Sequence, residues 1–270
     1  MTPILFKGKL LLLASARKGA NANPFDQRCL WIEDVSTGEV IATFAEGCGL
    51  GSAYVDSDGA DERVYVFAIP NDSRGAQHID CFCSRDLASW ERFTVLTALD
   101  GEELFNESVC KAGERYIMAY ESRDAHYPPF TIYFAESTDL RSWRRIPNAV
   151  YGTDRYTACP SIRFVDGHFY MLYLEHIKPR WWFETFLTRS NDLITWEQSA
   201  RNPVLDPIGA EDINASDSDL VEIPGAGGPI VRIYYAFGDQ KSHGAVTWAE
   251  YPGAESDFFH WYFPDAAGDS

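Results

Sequence analysis

Apolar and polar residues alternate along most of this chain in short runs, the two-residue period of half-buried β-strands. Five pairs of such runs stand out. They are Pro3 to Phe6 with Lys9 to Ala14, Gly51 to Val55 with Val64 to Phe67, Ser108 to Ala112 with Arg115 to Tyr120, Ser161 to Val165 with His168 to Leu174, and Asp219 to Ile223 with Ile230 to Phe237. Third strands follow in two units, at Phe130 to Ala135 and Phe183 to Thr188. No segment with a helical period competes with these runs.

A repeat orders them. Ser84-Arg85-Asp86-Leu87-Ala88-Ser89-Trp90 recurs as Ser137-Thr138-Asp139-Leu140-Arg141-Ser142-Trp143 and as Ser190-Asn191-Asp192-Leu193-Ile194-Thr195-Trp196, each copy 53 residues after the last. Ser and Asp favour turns because their side chains bond nearby backbone amides, and the Trp brings a large surface to bury. Each copy therefore reads as a hairpin between the outer two strands of a unit. Four strands in about fifty residues is the spacing of propeller blades. The chain is expected to be all-β, a single domain over residues 1–270 forming a five-bladed β-propeller with four-stranded antiparallel blades around a central channel. A helical solenoid conflicts with the alternation, and a β-sandwich would carry no regular internal period.

Composition narrows the partners. Forty acidic against 23 basic residues give a net charge of −17, which repels phosphate backbones and anionic lipid; neither nucleic acid nor a membrane is expected as a partner. The N-terminal segment lacks a basic start, a long apolar stretch and a small-residue cleavage site. That points to a cytoplasmic protein with reduced thiols, a secreted mature form remaining open. Among the six cysteines the one close pair is Cys81-Phe82-Cys83, whose thiols are expected to be turned apart along a strand. No cage of spaced ligands calls for a metal ion, and no cofactor is expected.

Chain direction locates a site. In a propeller blade the first strand lines the channel and the second returns beside it, so first-strand starts and second-strand ends share one mouth. Starts contribute Thr2, Ser52, Asn106, Glu107, Cys159, Asp217 and Asp219; ends contribute Arg17, Glu121, Arg123, Glu175, His176, Asp239 and Gln240. Carboxyls gathered in such a mouth suit glycoside cleavage, one protonating the leaving oxygen while another activates water or attacks the anomeric carbon. Glu121, Glu175 and Asp217 are the candidate catalytic residues. Asn106, Arg163, His176, Asp219, Asp239, Gln240, Trp181 and Arg17 are candidates for holding a carbohydrate. Several have a structural alternative: Glu121 and Glu175 as loop caps or partners of Arg123, Arg163 or Arg180, Asp217 and Asp219 as partners of a facing loop, Asn106 as a tie between blades, Trp181 in core packing, and His176 as a structural hydrogen-bonder.

The three Ser-x-Asp-Leu-x-x-Trp hairpins, with Trp196-Glu197 and Asn202-Pro203-Val204-Leu205 after the last, resemble the five-bladed glycoside hydrolases of families 43 and 32; the mannoside phosphorylases of family 130 share that fold. Cys159-Pro160-Ser161-Ile162 followed by Asp166-Gly167-His168-Phe169-Tyr170 resembles the blade that carries those enzymes' general acid. The resemblance implies activity on small glycosides or oligosaccharides, furanosides among them. Three departures accompany it. The familiar acid position falls on Ala158, the first-blade Asp-Pro on Thr2-Pro3, and the middle Asp on Asn106. Relocation of the chemistry to other carboxyls at the same mouth is the favoured reading. The alternatives are a non-catalytic carbohydrate-binding propeller and a glycoside phosphorylase using Arg17, Lys18, Arg163, Lys178 and Arg180 for phosphate.

Overall fold

The computed structural model describes residues 1–17, 28–58, 61–70, 76–128, 130–209, 212–239 and 244–264. Its strands form five antiparallel sheets, each following chain order from the inside outward. Blade 1 holds β1 (Thr2–Phe6), β2 (Lys9–Arg17), β3 (Arg28–Asp34) and β4 (Glu39–Phe44). Blade 2 holds β5 (Cys48–Asp58), β6 (Asp61–Pro70), β7 (His78–Ser84) and β8 (Glu91–Thr97). Blade 3 holds β9 (Glu103–Ala112), β10 (Arg115–Arg123), β11 (Thr131–Ser137) and β12 (Arg144–Tyr151). Blade 4 holds β13 (Thr157–Val165), β14 (His168–His176), β15 (Phe183–Ser190) and β16 (Trp196–Gln198). Blade 5 shows three strands among the described residues, β17 (Ala215–Gly225), β18 (Gly228–Gly238) and β19 (Gly244–Pro252). The first strands neighbour one another around the channel, and β17 lies beside β1 to close the ring. The protein is a five-bladed β-propeller.

The repeated heptads form the hairpins β7–β8, β11–β12 and β15–β16, between the outer strands as their sequence predicts. In each, the Ser hydroxyl accepts the N–H of the Leu three residues on, at 2.9 to 3.0 Å. The Asp carboxylate accepts the next two backbone N–H groups at 2.7 to 2.9 Å. These bonds hold Leu87, Leu140 and Leu193 in the left-handed region, at φ 62°, 60° and 67°. The turn then delivers its Trp onto the preceding blade. Trp90 stacks on Phe44 at 3.8 Å, Trp143 meets Phe67 edge-on at 6.0 Å, and Trp196 stacks on Phe134 at 5.4 Å. The motif is therefore a wedge between blades.

Apolar clusters fill the interfaces between blades 1 and 2, 2 and 3, and 3 and 4. Between blades 4 and 5 the filling comes partly from an element the alternation did not predict, helix α1 (Glu255–Tyr262). Its Phe259 stacks on Tyr170 at 4.3 Å, so α1 covers blade 4 where other blades use a Trp hairpin. Apart from this one helix the described elements are strands, and the fold is all-β as expected. Cys81 and Cys83 also depart from expectation: both face the blade 2–3 cluster, with Phe82 on the opposite side. Residues two apart on a strand share a face. None of the described helices is long and apolar enough to cross a membrane.

Candidate active site

Four of the five first strands pair irregularly near their starts. The register skips from Gly49 to Ser52 in β5, from Ala158 to Ser161 in β13, and from Ser216 to Asp219 in β17. Each skip holds a non-glycine residue in the left-handed region: Leu50 at φ 53°, Cys159 at 50° and Asp217 at 53°. In β9 a skip leaves Asn106 unpaired between Phe105 and Glu107. Pro160, with no N–H to give the ladder, fits the irregularity in β13. Bulges re-aim side chains and recur beside active sites. Here Leu50, Asn106, Cys159 and Asp217, one from each of four blades, join Thr2 of blade 1 around a cavity at one end of the channel.

Glu121, near the end of β10, returns to this mouth as chain direction predicts. It is 3% exposed. Its Oε2 accepts the Asn106 side-chain N–H at 2.8 Å and the Cys159 backbone N–H at 3.1 Å. Burial pushes the carboxyl up to about 7; the two hydrogen bonds oppose that shift, and the negative charge of Asp217 reinforces it. A carboxyl so placed is an acid that can surrender its proton near neutrality.

Glu107 sits one residue beyond Asn106 and is equally buried at 3%. Its Oε1 accepts the Ser52 backbone N–H at 3.3 Å, while its Oε2 is buried without a partner. Burial raises this carboxyl to about 8, with the charge of Glu121 adding to the effect. The sequence places Glu107 at the mouth but does not single it out. Cys159 Sγ lies 3.4 Å from Asn106 Nδ2. Burial, then the charges of Asp217 and Glu121, hold its thiol far above the ordinary range. The sulfur stays protonated and is no thiolate nucleophile. Among the described residues no group of three or more His, Cys, Asp or Glu side chains is placed to hold a metal ion.

A belt of rings flanks the carboxyls on the blade 3 and blade 4 side. Phe105 meets Phe130 at 5.0 Å, Phe130 meets Tyr156 at 5.4 Å, Tyr156 meets His176 at 6.1 Å, and His176 meets Trp181 at 4.9 Å. The Arg123 guanidinium lies over both Phe105 and Phe130. The charges of Glu121 and Asp217 both act on the half-buried Tyr156 phenol, which ties the belt to the acid site. Trp181, 57% exposed, is the open end of the belt.

The remaining candidates lie elsewhere. Glu175 shares the face of β14 that carries Tyr173 and is turned toward blade 3. It accepts the Arg155 Nε–H and the Tyr173 hydroxyl, both at 3.1 Å, and so serves an ion pair between blades instead of joining Glu121 and Asp217. Arg163 is also away from the mouth. It donates to Asp219 at 2.6 Å and to the carbonyls of Ile162 and Leu220 at 2.8 and 2.7 Å, and it lines a cavity of about 370 Å3 at the opposite end of the channel. The expectation that Arg163 faces the sugar site, or joins a phosphate-binding cluster there, is corrected by this pairing. Asp219, whose Oδ1 also accepts the Ser161 hydroxyl at 2.6 Å, marks the floor between the two cavities. The bulge separates it from Asp217, which stays half-buried at the rim. His176 bonds the Arg180 carbonyl at 2.9 Å, and Asp239 follows β18 on the blade 5 rim, half-buried. Gln240 and the side chain of Arg17 lie outside the described residues.

No protein-family model matches the sequence, and no curated protein matches it either. Solved structures do match the fold. One, a glycoside hydrolase, is 14% identical over 93% of this chain and 87% of that one, with a TM-score of 0.68. The Bombyx mori GH32 beta-fructofuranosidase BmSUC1 is 13% identical over 91% of this chain and 58% of that longer one, with a TM-score of 0.64. An N-acetylgalactosamine deacetylase from F. plautii, in complex with blood group B trisaccharide, is 12% identical over 93% and 91%, with a TM-score of 0.63. The chain thus shares the five-bladed fold of glycoside hydrolases of families 32 and 43. At such identities the likeness is one of fold, and the chemistry has to be argued from the site.

Proposed function

We propose that the protein is a glycoside hydrolase working at the bulge-lined mouth, with Glu121 as general acid and Asp217 as the base or nucleophile opposite it. The observation that carries this reading is the setting of Glu121: a buried carboxyl, raised to about 7, held by two N–H donors and facing a second carboxylate. Below about that pH Glu121 holds a proton for the departing glycosidic oxygen. Once the proton has gone, the Asn106 and Cys159 N–H groups stabilise the carboxylate left behind. Asp217 either deprotonates water or attacks the anomeric carbon. Trp181 and its belt offer flat apolar faces to a sugar's C–H surface. The solved neighbours support a carbohydrate ligand, since one is a fructofuranosidase and another was captured with a trisaccharide.

A non-catalytic sugar-binding propeller is the second reading. It is favoured by the absence of carboxylates at Thr2, Asn106 and Ala158, the last of which points into an apolar cluster. One experiment separates the two: aryl glycosides and plant and host oligosaccharides screened for turnover and, by calorimetry, for binding. Glu121→Gln and Asp217→Asn are each expected to lower turnover about a thousandfold or more while binding persists. The rate should fall as pH rises above about 7, as the acid loses its proton. Saturable binding without turnover across the screen sinks the hydrolase in favour of the binding module, and turnover that requires phosphate sinks it in favour of a phosphorylase.

A further inference from the structure

The cavity under the acid pair contains a concentration of unmet hydrogen-bonding capacity. Five buried side-chain atoms among the described residues lack a hydrogen-bond partner, and three of them, Ser52 Oγ, Glu107 Oε2 and Ser218 Oγ, belong to residues lining this one cavity. They arrive from three blades, on β5, β9 and β17, so no single local turn explains their meeting. Their residues are 8%, 3% and 5% exposed. Buried polar groups are ordinarily satisfied, and a converging set left open marks a place reserved for a ligand's polar atoms.

Size and charge say which atoms. The cavity is small, about 60 Å3. A sugar ring does not fit, whereas one hydroxyl-bearing arm does. Asp217 and Asp219 line the same cavity and Glu121 adjoins it; these carboxyls outnumber the Met1 ammonium beside them, so an anionic arm would meet mostly like charges. A neutral hydroxyl meets complementary groups instead. The two serines can donate or accept, and the Glu107 carboxyl, raised to about 8 by burial, keeps a proton to donate at neutral pH.

We propose that Ser52, Glu107 and Ser218 form a subsite for the exocyclic hydroxymethyl group of a terminal sugar. This rests on the reading of the mouth as a glycoside site and narrows its substrate. Neutral hexopyranosides and pentofuranosides carry the arm; pentopyranosides lack it, and uronosides replace it with a carboxylate. A site built to bond a hydroxyl rejects the analogue without it, because its own buried groups are then left unpaired.

The test uses aryl and methyl glycosides, both anomers, in pairs differing only at that arm: glucoside with xyloside and glucuronide, galactopyranoside with arabinopyranoside, arabinofuranoside with its 5-deoxy analogue. Turnover and calorimetric binding are measured on the same full chain. The expected result is at least about a hundredfold preference for the hydroxymethyl member in one pair. Ser52→Ala and Ser218→Ala should each shrink that preference about five- to tenfold, with thermal melting confirming that both variants fold. A partner without the arm that binds equally well, a preference unmoved by both substitutions, or no binding across the panel overturns the proposal. Selective binding without turnover leaves this subsite standing and removes the hydrolase, while turnover with no such preference does the reverse.

Discussion

Replacing Glu107 by Gln should make the protein more stable in alkaline solution. The folded chain raises this carboxyl from its ordinary 4.5 to about 8, chiefly by burial. Between those values the folded state holds a proton that the unfolded state has released, so stability falls as pH rises through the window. At about 1.4 kcal/mol for each pH unit, the loss reaches about 5 kcal/mol by pH 9, where the ionised group has to be accommodated in the buried site. Gln keeps a carbonyl for the Ser52 N–H and has no charge to bury. Wild type and Glu107→Gln should therefore lie close at pH 5, below most of the window, and separate steadily above it. A separation of this size corresponds to a melting-temperature gap of roughly 10 °C at pH 9 in a domain this large. Denaturant titrations of both proteins at several pH values from 5 to 9 measure the separation directly. Differencing them cancels the general alkaline self-repulsion of so acidic a chain. A gap that stays constant across the range would mean that water reaches Glu107 freely, and the argument from burial would fail.

Two further substitutions probe the ring and the channel floor. Trp196→Ala removes the stack on Phe134 and the bond from its indole N–H to the Leu193 carbonyl; a loss of about 3 kcal/mol in denaturant titration is expected, and a loss below about 1 kcal/mol would deny the wedge its role. Arg163→Met leaves the Asp219 carboxylate buried beside Glu255 without its cation, with an expected cost of about 3 to 5 kcal/mol. Adding Asp219→Asn should recover much of it, and a double variant no more stable than the single would contradict the pairing.

The sequence made the blades legible because their signal is long-range and repeated. A heptad recurring every 53 residues fixes the period, and the strand pairs between the copies fall into place. Helix α1 escaped because it spans two turns. Phe258, Phe259 and Tyr262 are too few to establish a period against the alternation of neighbouring strands. Within the site, chain direction was enough to bring Asn106, Glu121 and Asp217 to one mouth. It could not say which face of a strand each side chain takes. Glu175 ends its strand at the same rim as Glu121 but lies on the side of Tyr173, where Arg155 awaits it. The burial of Glu107 was hidden for a related reason: it depends on the skip at Tyr120 and Glu121, which shifts the ladder by one residue. Cys159-Pro160 was the one legible trace of such a skip, since proline inside an apparent strand marks a break in the ladder.

The bulges also explain how this mouth can hold an acid although the expected positions carry none. Leu50, Cys159 and Asp217 occupy the same left-handed place on three first strands, a conformation that costs a residue with a Cβ about 1 kcal/mol or more. That cost recurs with three unlike side chains, so the geometry belongs to the blades and not to any one residue. A carboxylate can then be supplied wherever the shared geometry points one inward, as at Asp217. It can also be supplied from the neighbouring strand when two bulges present donors to it, as Asn106 and Cys159 do to Glu121. Both donors come from first strands of adjacent blades, one of them through its backbone, so the acid's orientation is set by the ring. Side chains without a carboxyl at Thr2, Asn106 and Ala158 therefore leave in place the framework that aims Glu121 and Asp217. The identity of the acid can move between strands, provided that blades 3 and 4 keep their relative position.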